Sequence, residues 1–161
     1  VLLESAARPP IVGTFLDLGC GAGPIALSLA AYSPEATVYA IDINERAQKL
    51  TAANAQRNGM SNVITCAPSE VDEHIRFDVL WSNPPIRIGK QELHKLLTTW
   101  LSRLSNSGEA WLVINRNLGS DSLAVWLTEQ GYSVERLTSK RGFRVLRVTP
   151  TRAQGQPELS A

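Results

Sequence analysis

Cysteine, histidine and methionine are scarce in this chain of 161 residues, at two, two and one. Cys20 and Cys66 are too few and too isolated for a disulfide framework or a zinc site, so both are expected as small core residues and no metal is expected. His74 and His94 fall on a predicted loop and a predicted helix, where structural or solvent-facing roles are expected before catalytic ones. No apolar run approaches the roughly 20 residues that span a bilayer, and Val1 to Glu4 carry no basic leader before an apolar core; a soluble, cytoplasmic chain is expected. Net charge is only +1, which gives little support to indiscriminate binding of polyanions. Acid is missing locally, however. From Arg136 to Arg152 the chain has Arg136, Lys140, Arg141, Arg144, Arg147 and Arg152 and no Asp or Glu. That end reads either as a solvated strand pair or as an edge that contacts phosphates.

The residues present suffice for one domain. Apolar types make up 43% of the chain, no internal repeat suggests a second unit, and a single domain is expected over residues 1–150. Residues 151–161, with Pro, Gly and Gln and little to bury, are expected as a flexible tail. Thr14 to Leu18 reads as a buried strand running into a glycine turn, and Pro24 opens a helix to about Tyr32. Thr37 to Ile41 is a second strand; Asn44 caps a helix to Asn58, which Gly59 stops. The alternation continues with strands at Asn62 to Cys66 and Phe77 to Trp81, a helix at Gln91 to Leu104, and a strand at Glu109 to Ile114. Ser120 or Asp121 can cap a helix to Gln130, and Tyr132 to Leu137 with Phe143 to Val148 reads as an antiparallel hairpin. Such alternation implies an α/β, doubly wound, mostly parallel sheet whose ligands lie beyond the carboxyl ends of the strands. The tryptophans Trp81, Trp100, Trp111 and Trp126 mostly fall at apolar positions, and at least three are expected in the core.

The glycine turn carries the first chemical signal. Between the first strand and first helix the chain reads Asp17-Leu18-Gly19-Cys20-Gly21-Ala22-Gly23-Pro24. A dinucleotide fingerprint needs Gly-x-Gly-x-x-Gly, whereas this turn is tighter and follows an acid. It suits the zwitterionic amino-acid end of S-adenosylmethionine better than a pyrophosphate. Asp42 ends the second strand, where a carboxylate can accept from both ribose hydroxyls. Asp17, Gly19, Gly21, Gly23, Asp42 and Ile43 are therefore the candidate cofactor residues, with a structural alternative for Asp17 as a turn-bonding acid and for Asp42 as a helix-entry acid.

The second signal is Trp81-Ser82-Asn83-Pro84-Pro85-Ile86-Arg87. Two prolines fix their own φ, and Pro84 forces Asn83 into an extended conformation. The Asn83 side chain and the neighbouring carbonyls would form an acceptor pair for a planar amino group, leaving the nitrogen lone pair to face an electrophile. Asn83 and Pro84 are the candidate catalytic residues; Pro85, Ile86, Arg87 and Lys90 are the candidate substrate residues. Methylation of an exocyclic or amide nitrogen follows.

With both motifs in this order, the chain resembles the class I methyltransferases, and within them the small-subunit ribosomal RNA guanine-N2 methyltransferase C family, also called the methyltransferase small domain. The resemblance runs from about Leu2 to Val148, carried by Asp17 to Pro24, Ala40 to Asn44, Asn54 to Gly59, Ser82 to Lys90 and Gly142 to Arg147. It implies a seven-stranded sheet with the last strand antiparallel, cofactor contacts at Gly19 and Gly21, ribose at Asp42, and the target amine at Asn83 and Pro84. The implied substrate is ribosomal RNA or the small ribosomal subunit. Arg87, Lys90, Arg116, Lys140, Arg141 and Arg144 are the candidate phosphate contacts around the opening, with an ordinary surface charge as the alternative for each. Three departures stand out. Cys66-Ala67-Pro68-Ser69 offers no acid for adenine before Glu70; Ile86 replaces the aromatic that commonly follows the prolines; and relatives have further residues before Leu2, so a fragment is expected. Glutamine methylation of a protein would use the same corner but normally with Tyr after the prolines. DNA adenine methylation lacks the ring and a target-recognition insert. A non-catalytic docking copy would be expected to lose one of the motifs, and both are present.

Overall fold

Short runs of Val, Ile, Leu and aromatics bounded by glycine and polar turns form a mixed sheet flanked by helices. The computed structural model describes residues 9–85, 88–115, 119–140 and 142–151, without the side chains of 138–140. In chain order the elements are β1 (Thr14–Leu18), α1 (Pro24–Tyr32), β2 (Thr37–Ile41), α2 (Glu45–Arg57), β3 (Val63–Cys66), β4 (Phe77–Ser82), α3 (Lys90–Leu101), β5 (Leu104–Asn115), α4 (Ser120–Glu129), β6 (Tyr132–Lys140) and β7 (Phe143–Pro150). The seven strands are ordered β3-β2-β1-β4-β5-β7-β6. The pairs among β1 to β5 are parallel, and β7 runs antiparallel to both its neighbours. The order reverses direction between β1 and β4, so the crevice beyond their carboxyl ends is the switch point where such sheets take ligands.

Two apolar layers cover the sheet. One face buries Leu16, Leu18, Leu80 and Leu112 under Leu93, Leu97 and Trp100 of α3 and Leu123 and Leu127 of α4. The other buries Phe15, Val38, Val79 and Trp81 with Ala26 and Leu29 of α1. Trp81, Trp100 and Trp111 are core residues, as are both cysteines. His94 and Trp126 stack with ring centroids 3.8 Å apart and 6° between planes, joining α3 to α4. Among the described residues no helix is long and apolar enough to cross a membrane.

Several boundaries differ from the sequence reading, each for a tertiary reason. The third helix runs from Lys90 and ends at Leu101, because Leu104 already pairs with Phe77 as the start of β5. The register then jumps from Phe77↔Leu104 to Val79↔Glu109, and Gly108 fills the jump: a Cβ there would stand 2.6 Å from the Phe77 carbonyl oxygen. Asn62 lies outside β3 because its side-chain amide serves the carbonyls of Ser33 and Ala36 at 3.2 and 3.0 Å. Gly119, with φ +72°, is the N-cap of α4 in place of Ser120 or Asp121. The hairpin extends to Lys140 on β6 and Pro150 on β7. Residues 152–161 lie outside the described residues.

Candidate active site

Pairing of Leu18 with Ser82 brings the ends of β1 and β4 level, so the glycine turn and Asn83 leave adjacent strands side by side. Neighbouring strands are about 4.8 Å apart. The buried Ser82 hydroxyl donates to the Leu18 carbonyl at 3.1 Å, fastening the two ends together.

The backbone of the turn is almost fully accounted for. Gly19 N–H and Cys20 N–H both donate to the Ile41 carbonyl, at 2.9 and 3.0 Å, and Gly23 N–H donates to the Cys20 carbonyl at 2.8 Å. Gly21 N–H donates to Asp42 Oδ2 at 3.1 Å. The Gly21 and Ala22 carbonyls accept from side chains of α2. Among the described residues, the Gly19 carbonyl and the Ala22 N–H have no hydrogen-bond partner. A turn with one open acceptor and one open donor is complementary to a bound zwitterion. Gly19 and Gly21 have φ +77° and +55°, and a Cβ at either would enter open space. Gly23, with φ +90°, shares that backbone requirement and has a second one: its Cβ would lie 2.7 Å from Thr51 Cγ2, so the packing of α2 also demands glycine there.

Asp42 holds two donors. Oδ2 takes Gly21 N–H and Oδ1 takes Asn44 N–H at 2.9 Å. The helix-entry role and an acceptor at the crevice thus coexist in one carboxylate. Ile43 beside it is 90% exposed and offers an apolar face next to the carboxylate. Glu70, the first acid after β3, is turned onto its own backbone, accepting from Ala67 N–H at 2.8 Å.

Asp17 is 1% exposed, and its Oδ2 accepts from Ala26 N–H in the first turn of α1 at 3.1 Å. Burial pushes its pKa up to about 7; the Ala26 bond opposes that and the nearby Asp42 charge adds to it. Cys20 is raised to about 11, mainly by burial, so its thiol stays protonated and inert. His94 is lowered by burial and by Lys90. Both observations fit packing roles.

At the substrate side, Asn83 is exposed, Pro84 buried and Pro85 exposed, with Ile88 N–H donating to the Pro85 carbonyl at 3.1 Å. Ile86, Arg87, Arg116, Arg141 and Arg152, and the Lys140 side chain, lie outside the described residues. Lys90 is exposed at the start of α3, with no ion pair among the described residues. The carboxyl-terminal basic run is not acid-free in space. Arg144 and Arg136 both pair with Asp121, and Arg147 pairs with Glu109 and Glu135 while lying over the Trp111 ring. Every cation of the run whose side chain is among the described residues is therefore paired within the protein. No group of three or more residues able to hold a metal ion is found among the described residues.

The strand order, the antiparallel β7 and the glycine turn opposite an Asn-Pro-Pro corner define a class I methyltransferase fold. The chain belongs to the methyltransferase small domain family, which matches residues 1–147. It is 37% identical over 150 residues to an uncharacterized protein of Bacillus subtilis, YbxB, covering 91% of this chain and 75% of that protein. It is 33% identical over 143 residues to ribosomal RNA small subunit methyltransferase C of Acinetobacter baylyi, covering 84% of this chain and 41% of that protein. The chain thus spans less than half the length of that relative. Among solved structures, a ribosomal protein L11 methylase from Lactobacillus delbrueckii superposes with TM-score 0.74 at 20% identity, over 94% of this chain and 75% of the other. A precorrin-6y C5,15-methyltransferase from Geobacter metallireducens gives 0.72 at 15% identity, over 93% and 85%. These likenesses show the fold.

Proposed function

We propose that this chain is an S-adenosylmethionine-dependent N-methyltransferase whose substrate is guanine N2 in ribosomal RNA. The observation that carries the reading is the meeting, at the β1–β4 switch point, of the exposed Asn83 with a turn that has one open acceptor and one open donor. Gly19 and Ala22 would take the ammonium and carboxylate of the cofactor, Asp42 the ribose, and Ile43 one face of the adenine. Asp17 supports the turn from below and supplies negative charge near the cationic end. When bound, the cofactor supplies a methyl group already activated for displacement.

The protein's own task is then alignment. The Asn83 side-chain oxygen and the Pro84 carbonyl would accept the two N–H bonds of the amine, so that its lone pair faces the methyl carbon. Asn83 and Pro84 would keep that alignment while the methyl group is transferred, and the proton the amine no longer needs would pass to solvent. Orientation of this kind is worth up to roughly 7 to 11 kcal/mol, and acceptors aimed at the charge growing on nitrogen add to it. No strong base is needed. A duplex hides guanine N2, so an unpaired or flipped base is required. The names of the methyltransferase C relatives support RNA as the polymer.

One observation favours the runner-up, methylation of a protein glutamine: the ion pairs of Arg136, Arg144 and Arg147 leave fewer cations for phosphates. Transfer of a labelled methyl group to small ribosomal subunits, naked ribosomal RNA and total protein, followed by nucleoside and amino-acid analysis, decides between them. N2-methylguanosine is expected; labelled glutamine with unlabelled RNA would establish the alternative.

A further inference from the structure

Three side chains on one side of α2 reach the backbone that surrounds the crevice. Gln48 Nε2 donates to the Asp42 carbonyl at 2.7 Å, Thr51 Oγ1 to the Gly21 carbonyl at 2.8 Å, and Asn54 Nδ2 to the Ala22 carbonyl at 3.0 Å. The three stand three residues apart along the helix, a spacing that keeps side chains on neighbouring turns close together. Each is a donor, and each takes a carbonyl that no backbone N–H serves. Thr51 is fully buried and its methyl group fills the space that a side chain at Gly23 would need. Helix α2 itself is held to the same region by Asn44, whose side chain accepts from Arg46 N–H at 2.9 Å, and by Asp42, which accepts from Asn44.

These bonds decide which groups of the turn remain available. A glycine turn of three positive-φ residues has many accessible conformations, because glycine lacks the steric restriction that would select one. With Asp42 on the Gly21 N–H and α2 on the Gly21 and Ala22 carbonyls, the groups left over are the Gly19 carbonyl and the Ala22 N–H. We infer that Thr51 and Asn54, with Gln48 bracing Asp42 beside them, are positioning residues for the cofactor turn, fixing from α2 the conformation that presents one acceptor and one donor to the cofactor's amino-acid end. The inference rests on the cofactor reading above. None of the three touches the ligand; they act by having the turn already ordered when the ligand arrives, which removes an ordering cost from binding.

The test compares the wild-type chain with Thr51→Val, Thr51→Ser and Asn54→Ala. Calorimetric titration with S-adenosylhomocysteine, at a temperature where far-ultraviolet circular dichroism shows each variant folded, should give roughly 5- to 20-fold weaker binding for Thr51→Val and Asn54→Ala. Thr51→Ser, which keeps the hydroxyl, should stay within about twofold of wild type. Amide hydrogen exchange without ligand should be roughly tenfold faster at Gly21 and Gly23, whose N–H groups are bonded, in the first two variants and unchanged in the sheet. A purely structural role would lower the melting temperature and leave both readouts of the folded protein unmoved, and that result overturns the inference. If Thr51→Val does not fold, the half-buried Asn54→Ala answers the same question. Wild-type protein that fails to bind S-adenosylhomocysteine overturns the cofactor reading, and the presentation of the turn to that cofactor with it; the exchange data then say separately whether α2 orders the turn.

Discussion

The Ser82 hydroxyl reaches across from β4 to the Leu18 carbonyl of β1 at 3.1 Å, one residue before the turn on one strand and one before Asn83 on the other. The two halves of the proposed reaction are thereby tied at their point of departure. Ser82→Ala should cost about 1 kcal/mol of stability. Its larger effect should be on alignment, with kcat lower by about 10- to 100-fold and cofactor affinity little changed. Steady-state kinetics with a melting curve checks it, and an unchanged kcat would mean that the ladder alone sets the spacing.

Asp42 joins β2 to the turn through Gly21 and to α2 through Asn44. Asp42→Ala should weaken S-adenosylmethionine binding by roughly 1 to 3 kcal/mol, since ribose hydroxyls would lose their half-buried acceptor. Nicotinamide dinucleotides should not bind at all. Titration of both ligands settles the choice of cofactor, and tighter binding of NAD would reverse it.

Asn83→Ala should leave cofactor affinity nearly intact and reduce methyl transfer by about 100- to 1,000-fold, because the exposed amide addresses the amine rather than the donor. Single-turnover transfer with cofactor titration separates the two effects. Wild-type turnover would make the di-proline corner architectural.

Much of the scaffold could be read from local sequence. Strands β1 and β2 and helix α1 occupy the residues expected, because continuous apolar runs, Pro24 and the glycine turn act within a few positions. What escaped sequence reading depends on partners far along the chain. Asn62 was expected to open a strand, but its amide is claimed by carbonyls 26 and 29 residues away. The basic run reads as unopposed in one dimension, yet Asp121 and Glu109 reach it across 23 and 38 residues. Gly23 was expected as a cofactor residue; the packing of Thr51 against it from α2, a second demand for glycine there, depends on a partner 28 positions along and could not be read locally. The polar spacing of Gln48, Thr51 and Asn54 was the available signal for that support, though a helix face with such residues usually faces water.

The buried carboxyl of Asp17 should make both stability and cofactor binding depend on pH. Its pKa in the folded protein, about 7, lies above the ordinary carboxyl value of 3.8, so the native state holds a proton that the unfolded chain has released between those values. Its contribution is therefore fully present below about pH 4 and is lost as pH rises through about 7, by up to ~1.4 kcal/mol per pH unit. Asp17→Asn, which removes the titration, should flatten that slope in denaturant unfolding measured from pH 5 to 8. A cationic ligand favours the charged carboxylate, so cofactor affinity should rise through pH 7 with release of a proton. Titration calorimetry in buffers of different ionisation enthalpy detects that proton, and parallel pH profiles for wild type and Asp17→Asn would remove Asp17 from both effects.

Substrate choice turns on which cations are free. Pairing of Asn115 with Phe143 and of Lys140 with Phe143 puts the hairpin tip at the same end of the sheet as Asn83, so that end can meet a polymer held at the crevice. Arg144 is paired with Asp121, however, whereas Lys90 has no ion pair among the described residues. If RNA phosphates are gripped there, Lys90→Ala should lower the salt slope of RNA binding by roughly 0.7 to 0.9, and Lys140→Ala with Arg141→Ala by about that amount for each lost contact. Arg144→Ala should do less, because the arginine must first leave its carboxylate. Asp121→Asn should act in the opposite direction, releasing Arg136 and Arg144 and steepening the slope. Filter binding of a ribosomal RNA fragment across a salt series reads all four. A slope that ignores every one of them, with cofactor binding intact, would remove the hairpin and the start of α3 from the substrate surface and favour the protein amide as substrate.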